Sequence, residues 1–287
     1  MFKNKTIQIP RSSDPRWPFL AFSLCFNLYA LISPGFHRLP SQWIASVATG
    51  LSLDLALHYF LRDVIILPLS GLLTSLSCVL LCDSPLVWPY AAISALSILS
   101  KHFLRTPNRA RPIFNPSNFG IVVGLLLLGH FMDVVPGRWG GSVWAMPWVA
   151  ILGFLIAIRV KRLDLCLSWL GTFLIIAVLR SLISGWPFIT TIAPATGAAF
   201  MLLTFFMITD PMTTPSSSTT RVLFGITLGI LDGILRYFQV INSPLYALFI
   251  LCAFSGTLYA AGNLEKENIF RWNFLELGHP AGKNQGK

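Results

Sequence analysis

Ten apolar stretches of near-bilayer length follow one another along this chain, and few folds offer that much greasy surface a home in water. They lie at 17–33, 42–60, 64–82, 86–100, 117–135, 143–159, 165–184, 190–209, 222–240 and 244–261. A helix rising about 1.5 Å per residue needs about 17–25 residues to cross a hydrocarbon core about 30 Å thick. Charge is correspondingly scarce: 11% of the residues carry it and the mean hydropathy is +0.68, against about 25% charged in soluble domains. The expected fold is therefore all-α and integral to a membrane, with about ten transmembrane helices and the lipid bilayer as solvent. Lys3, Lys5, Arg11 and Arg16 ahead of the first stretch give it the outline of a signal peptide. No small-x-small cleavage site follows Ala30 and further spans come at once, so it reads as a retained helix.

The net charge of +10 invites a nucleic-acid reading, and the positions of the cations argue against it. With the N-terminus in the cytoplasm, Lys and Arg gather on one side, including Arg62, Lys101, Arg105, Arg109, Arg111, Arg159, Lys161, Arg162 and Arg221. Only Arg38, Arg138, Arg180 and Arg236 fall on, or nearer, the other. Cytoplasmic loops accumulate cations in this way, so the basicity reports a multi-pass protein of the cell membrane with both termini cytoplasmic, and no nucleic-acid partner. The five cysteines lie inside predicted spans, where disulfides and zinc sites are unusual. Cys78 and Cys82 share a helix face and read as small packing residues; no metal motif is present.

Two punctuation points recur at one offset. Asp83 and Asp210 each follow a predicted span, Asn115 and Asn242 each precede one, and both pairs are 127 residues apart. A shift of five spans reverses orientation, so the expectation is two inverted five-helix repeats, 17–135 and 136–262, between tails 1–16 and 263–287 that are both cytoplasmic. Turn chemistry offers the bland explanation, since Asn, Asp, Ser and Pro collect at helix ends anyway.

Two segments carry candidate chemistry. Lys101-His102 leads through a basic loop to Phe114-Asn115-Pro116-Ser117-Asn118, a tight turn feeding a helix whose N-terminal N–H groups suit an anionic or carbonyl-rich ligand. Thr196-Gly197-Ala198 is followed by Thr209-Asp210-Pro211-Met212-Thr213-Thr214-Pro215 and Arg221; Gly197 permits close approach of a backbone or flat ring, and the hydroxyl-rich loop supplies donors. A positive-inside loop with an N-cap, and an ordinary solvated connection, are the alternatives.

These elements, together with Leu223-Phe224-Gly225, resemble in order and spacing the RnfD and NqrB subunits of ion-translocating, flavin-containing membrane electron-transfer complexes, over residues about 90–260. The resemblance implies ten helices in inverted halves similar to urea-transporter architecture, a flavin (FMN or riboflavin), electron transfer across the membrane coupled to sodium or proton movement, and partner membrane or soluble redox subunits. On this chain it points to Lys101, Asn115, Asn118, Thr196, Gly197, Asp210, Thr213, Thr214 and Arg221 as cofactor contacts. One departure matters. Members with covalent FMN attach its phosphate to the last residue of a Ser/Thr-Gly-Ala-Thr motif, and here that residue is Ala199, which has no hydroxyl. Non-covalent flavin is the expectation.

Ionisable groups within spans are costly, about 2.5–3.5 kcal/mol each at a helix centre, which marks Asp54 and Asp232 as candidates for an ion or proton path with Arg180 as counter-charge. Arg180 and Arg236 lie near enough to helix ends to snorkel. His58 and His130 read as interfacial packing, with a haem held between two histidines the sharper alternative. No nucleophile–base pair emerges, so no catalytic residue is assigned. The rival function is a channel or carrier for a small solute on the same fold.

Overall fold

In a computed structural model the chain is described over residues 6–8, 16–32, 38–62, 64–106, 111–134 and 145–260. Most of both predicted tails, with Arg109 and Arg138, lies outside the described residues. The architecture is all-α: α1 (Arg16–Ile32), α2 (Pro40–Arg62), α3 (Leu69–Leu81), α4 (Trp88–Phe103), α5 (Pro116–Leu128), α6 (Ala145–Arg159), α7 (Leu163–Ser184), α8 (Phe188–Ile192), α9 (Ala198–Leu202), α10 (Ser218–Tyr237) and α11 (Ser243–Ala260). Four strands of two or three residues join them: β1 (Thr6–Gln8) runs parallel to β2 (Val64–Ile66), and β3 (Cys82–Asp83) antiparallel to β4 (Asp133–Val134).

Local chemistry sets several boundaries. Pro116 opens α5 at its first turn, where no N–H is needed, and Asn115 caps it by accepting from the Asn118 N–H at 3.1 Å. Ser217 caps α10 through the Thr220 N–H at 3.3 Å. Gly185 ends α7 in the left-handed region at φ +66, which costs a glycine nothing.

Among the described residues three helices are long and apolar enough to cross a membrane: Pro40–Arg62, Leu163–Ser184 and Ser218–Tyr237. The segment expected as one span at 190–209 is instead bent by 66° between Phe188–Thr196 and Phe200–Met207, and counts as a fourth if it is one span. A 3-10 turn at Ala193–Thr196 contains Pro194, and a π-helical turn at Leu203–Met207 follows α9. The third and fifth expected spans shrink as well. Leu69–Leu81 and Pro116–Leu128 have 13 residues each, about 20 Å of helix, because Val64–Ile66 is spent on β2 and Asp133–Val134 on β4.

Helices before and after residue 135 choose partners in the same order. α2 packs on α4 and α7 on α10; α4 packs on α5 and α10 on α11. Ser46 bonds Ser94 at 2.5 Å and Asp54 bonds Lys101 further on, so α2 and α4 run parallel. Glycines bring these helices close: a Cβ at Gly225, Gly229 or Gly233 on α10 would strike Ser168, Thr172 or Ile176 on α7. α5 and α11 begin 127 residues apart and cross antiparallel: Phe114 stacks on Phe249 with centroids 4.8 Å apart, and Asn118 Nδ2 donates to the Leu245 carbonyl at 3.1 Å. The largest core cluster lies along this seam and the α7–α10 pair, with Ile121, Trp169, Leu203, Leu228 and Leu248 buried.

Candidate functional site

The loop after the bent segment folds back onto the head of α5. Asn115 Nδ2 donates to the Met207 carbonyl at 3.4 Å and reaches Asp210 Oδ2 at 3.5 Å. Asp210 Oδ1 accepts from the Met212 N–H at 3.0 Å, and the Asp210 carbonyl accepts from Thr214 Oγ1 at 2.7 Å and from the Thr213 N–H at 3.3 Å. The far end of the loop is tied to α7: Arg221 Nε donates to both oxygens of Asp164 at 2.9 Å, Nη2 to Oδ2 at 2.6 Å, and Nη1 to the Ser216 carbonyl. Ser218 Oγ adds a bond to Asp164 Oδ2 at 2.6 Å, and Arg162 donates to the Pro215 carbonyl. Four of the sequence-derived site residues, Asn115, Asp210, Thr213 and Thr214, thus converge, and Arg221 ties the far end of the same loop to α7. Their bonding is largely internal, so they fix the shape of the loop.

Burial raises the Asp210 pKa, only partly opposed by the Met212 N–H, the Thr213 side chain and the Arg162 charge. Arg162 is pushed down to about 10 by burial and by the like charge of Arg221, which still leaves it cationic at neutral pH. For a carboxyl whose folded pKa lies above its unfolded value, the folded state binds the proton more tightly; stability is full below the unfolded pKa and falls as pH rises through the folded one. Asp210→Asn is therefore expected to match the parent near pH 4 and to exceed it in thermal midpoint at pH 7, read by thermal unfolding in detergent at both pH values.

The remaining site residues lie elsewhere. Asn118 serves the α5–α11 crossing through Leu245. Thr196 and Gly197 sit at the bend, the opposite end of the 198–207 segment from Asp210 and about 15 Å of helix away. Thr196 is exposed and donates to the Ala193 carbonyl at 2.7 Å, and a Cβ at Gly197 would meet only the Pro194 carbonyl, at 3.3 Å. Ala199 lies in α9.

Lys101 belongs to a different cluster. The buried face of α2 repeats every fourth residue as Gln42, Ser46, Gly50, Asp54 and His58. At its end Asp54, 1% exposed, accepts from Lys101 Nζ at 2.9 Å on both oxygens and lies 2.7 Å from His102 Nε2. His58 Nδ1 is 3.4 Å from Asp54 Oδ1 and 2.7 Å from the Asp54 carbonyl, and its ring meets that of His102 edge to face with centroids 4.7 Å apart. The sequence reading missed this cluster. The four-residue polar period of α2 was the available signal, while pairing His58 with His102 needs the parallel α2–α4 packing. His130 is exposed in the turn after α5.

Asp232 forms a second buried acid, 1% exposed, accepting from Ser243 Oγ at 2.6 Å and Arg236 Nε at 2.7 Å. Arg180 lines the same small cleft with Phe173, Ala177 and Thr191. The structure thus gives Asp54 the counter-charge Lys101 and Asp232 the counter-charge Arg236, with Arg180 beside the latter alone.

A family model described as the NQR2, RnfD, RnfE family matches residues 41–258, three quarters of the chain. No curated protein matches it.

Proposed function

The chain belongs to the NQR2, RnfD, RnfE family, and from that premise we propose that this membrane subunit of an Rnf/Nqr-type complex holds a flavin without a covalent bond and passes electrons across the bilayer, coupled to sodium or proton movement. The observation that carries the reading is the meeting of Asn115 with Met207 and Asp210, which brings two distant family-like segments to one place. Thr196 and Gly197 would hold the flavin ring at the bend, where a Cβ at Gly197 meets only the Pro194 carbonyl, and the 209–221 loop braces the other end of the same segment. The protein's part in such chemistry is to position the ring and set its solvation, the redox step belonging to the flavin. Ala199 has no oxygen to esterify, so the cofactor leaves on denaturation.

The proposed architecture is two inverted five-helix halves with cytoplasmic termini. Support comes from the shared partner order, from the common start of α5 and α11 at an offset of 127, and from Asn118 bonding Leu245, also 127 residues on. A residue that touches its own counterpart lies on the axis relating the halves, and that axis is where such folds place their sites. Other subunits of the complex are the expected partners.

Purification in mild detergent is expected to give a yellow protein whose flavin absorbance stays in the supernatant after acid precipitation, with flavin content falling in Gly197→Leu. A colourless sample at full yield that moves a small solute into liposomes would overturn the redox reading in favour of a carrier.

A further inference from the structure

We propose that Asp54, His58 and His102 form a binding site for a divalent first-row transition metal of the zinc type, in which the Lys101 ammonium is the tethered cation that the metal displaces. One ligand atom from each of the three residues lies within 4.8 Å of the others, and all three residues are buried. Two imidazoles and a carboxylate are the donors that such ions take, at about 2.0–2.2 Å, with an open position left for water or another ligand. Ligand atoms around a tetrahedral ion of that size stand about 3.3 Å apart. Asp54 Oδ1 is 3.4 Å from His58 Nδ1 and 2.7 Å from His102 Nε2, and the space opens when the His58 ring exchanges its 2.7 Å bond to the Asp54 carbonyl for the metal.

A lone ion pair does not account for the cluster. Lys101 by itself neutralises Asp54, yet Asp54 Oδ1 has Lys101 at 2.9 Å, His102 at 2.7 Å and His58 at 3.4 Å around it. Among the described residues His102 Nδ1 has no hydrogen-bond partner, so the bond to the Asp54 carboxylate is the one that Nε2 exchanges for a metal, the ring proton then sitting on Nδ1. Lys101 stands at the last turn of α4 with its side chain 14% exposed, placed to swing outward when a better cation arrives. Lys101, expected as a flavin contact, bonds Asp54 here instead of joining the Asp210 loop, so the metal site is scored apart from the flavin reading.

Calorimetric titration of the chelator-treated full chain in detergent with Zn²⁺, and with Co²⁺ to read imidazole ligation from its visible bands, tests the site. One equivalent is expected to bind. His102→Gln and His58→Gln should each weaken it at least tenfold, and Lys101→Met, which removes the competitor, should tighten it at least tenfold. Flavin content is measured on the same samples, so loss of colour and loss of metal are scored separately. Equal affinity in the parent and Lys101→Met, no binding in either, or stoichiometry and affinity unchanged in both histidine variants overturns the proposal.

Discussion

Asp54→Ala is expected to cost about 3–5 kcal/mol of stability, because it strands the Lys101 ammonium in a site where, among the described residues, no other acid pairs with it. The carboxylate is 1% exposed and the lysine side chain 14%, so water screens this pair far less than a surface one. Breaking one partner of a buried pair costs more than removing both, since the survivor keeps its desolvation penalty without its compensation. The double variant Asp54→Ala with Lys101→Met should therefore recover much of the loss, and the coupling between the two changes is the quantity to measure. Thermal midpoints of the four proteins in one detergent give that cycle. If Asp54→Ala unfolds no earlier than the parent, the cluster contributes nothing to holding α2 and α4 together. The surface-side pair of Arg221 with Asp164, whose side chains are 14% and 23% exposed, should give a smaller penalty in the same assay.

Hydropathy placed most helices well: the spans expected at 17–33, 165–184 and 244–261 coincide with α1, α7 and α11 to within two residues. Errors arose where apolar sequence is not helix. Val64-Ile65-Ile66 is as greasy as any helix interior, but Pro68 delays α3 and the β-branched run pairs with Thr6–Gln8. A sum over residues cannot tell a buried strand from a buried helix. In the same way 190–209 is apolar throughout, and only Pro194 and Gly197 hinted at a break.

For the site, motif order singles out the Asn115 turn and the Asp210 loop, and the two meet in space. Which acid takes which cation was not legible, because Asp54 and Lys101 are 47 residues apart and come level only through parallel packing of α2 on α4. Arg180, the counter-charge expected from the sequence, lines the cleft of Asp232, where Arg236 lies nearer.

Gly225→Leu is expected to disrupt the α7–α10 pair more than the same change at Gly229 or Gly233, by about 3 kcal/mol or more. The three glycines recur every fourth residue and so line one face of the helix, but their neighbours differ in kind. A Cβ at Gly225 lies 2.1 Å from Ser168 Oγ, 2.9 Å from the Leu165 carbonyl and 3.0 Å from the Trp169 nitrogen, so even with Ser168 truncated it still meets backbone. At Gly229 the near atoms are Thr172 Cβ and Cγ2, both at 2.6 Å, while the backbone nitrogen of Phe173 stays at 3.5 Å. Side chains can be cut away and backbone cannot. Thr172→Gly should therefore rescue much of the loss in Gly229→Ala, whereas Ser168→Ala should leave most of the loss in Gly225→Ala, both read as midpoints of thermal or SDS-induced unfolding. Equal rescue at the two positions would mean that α10 slides off α7 to accommodate the methyl group, and that the close approach of the two helices is not what fixes their register.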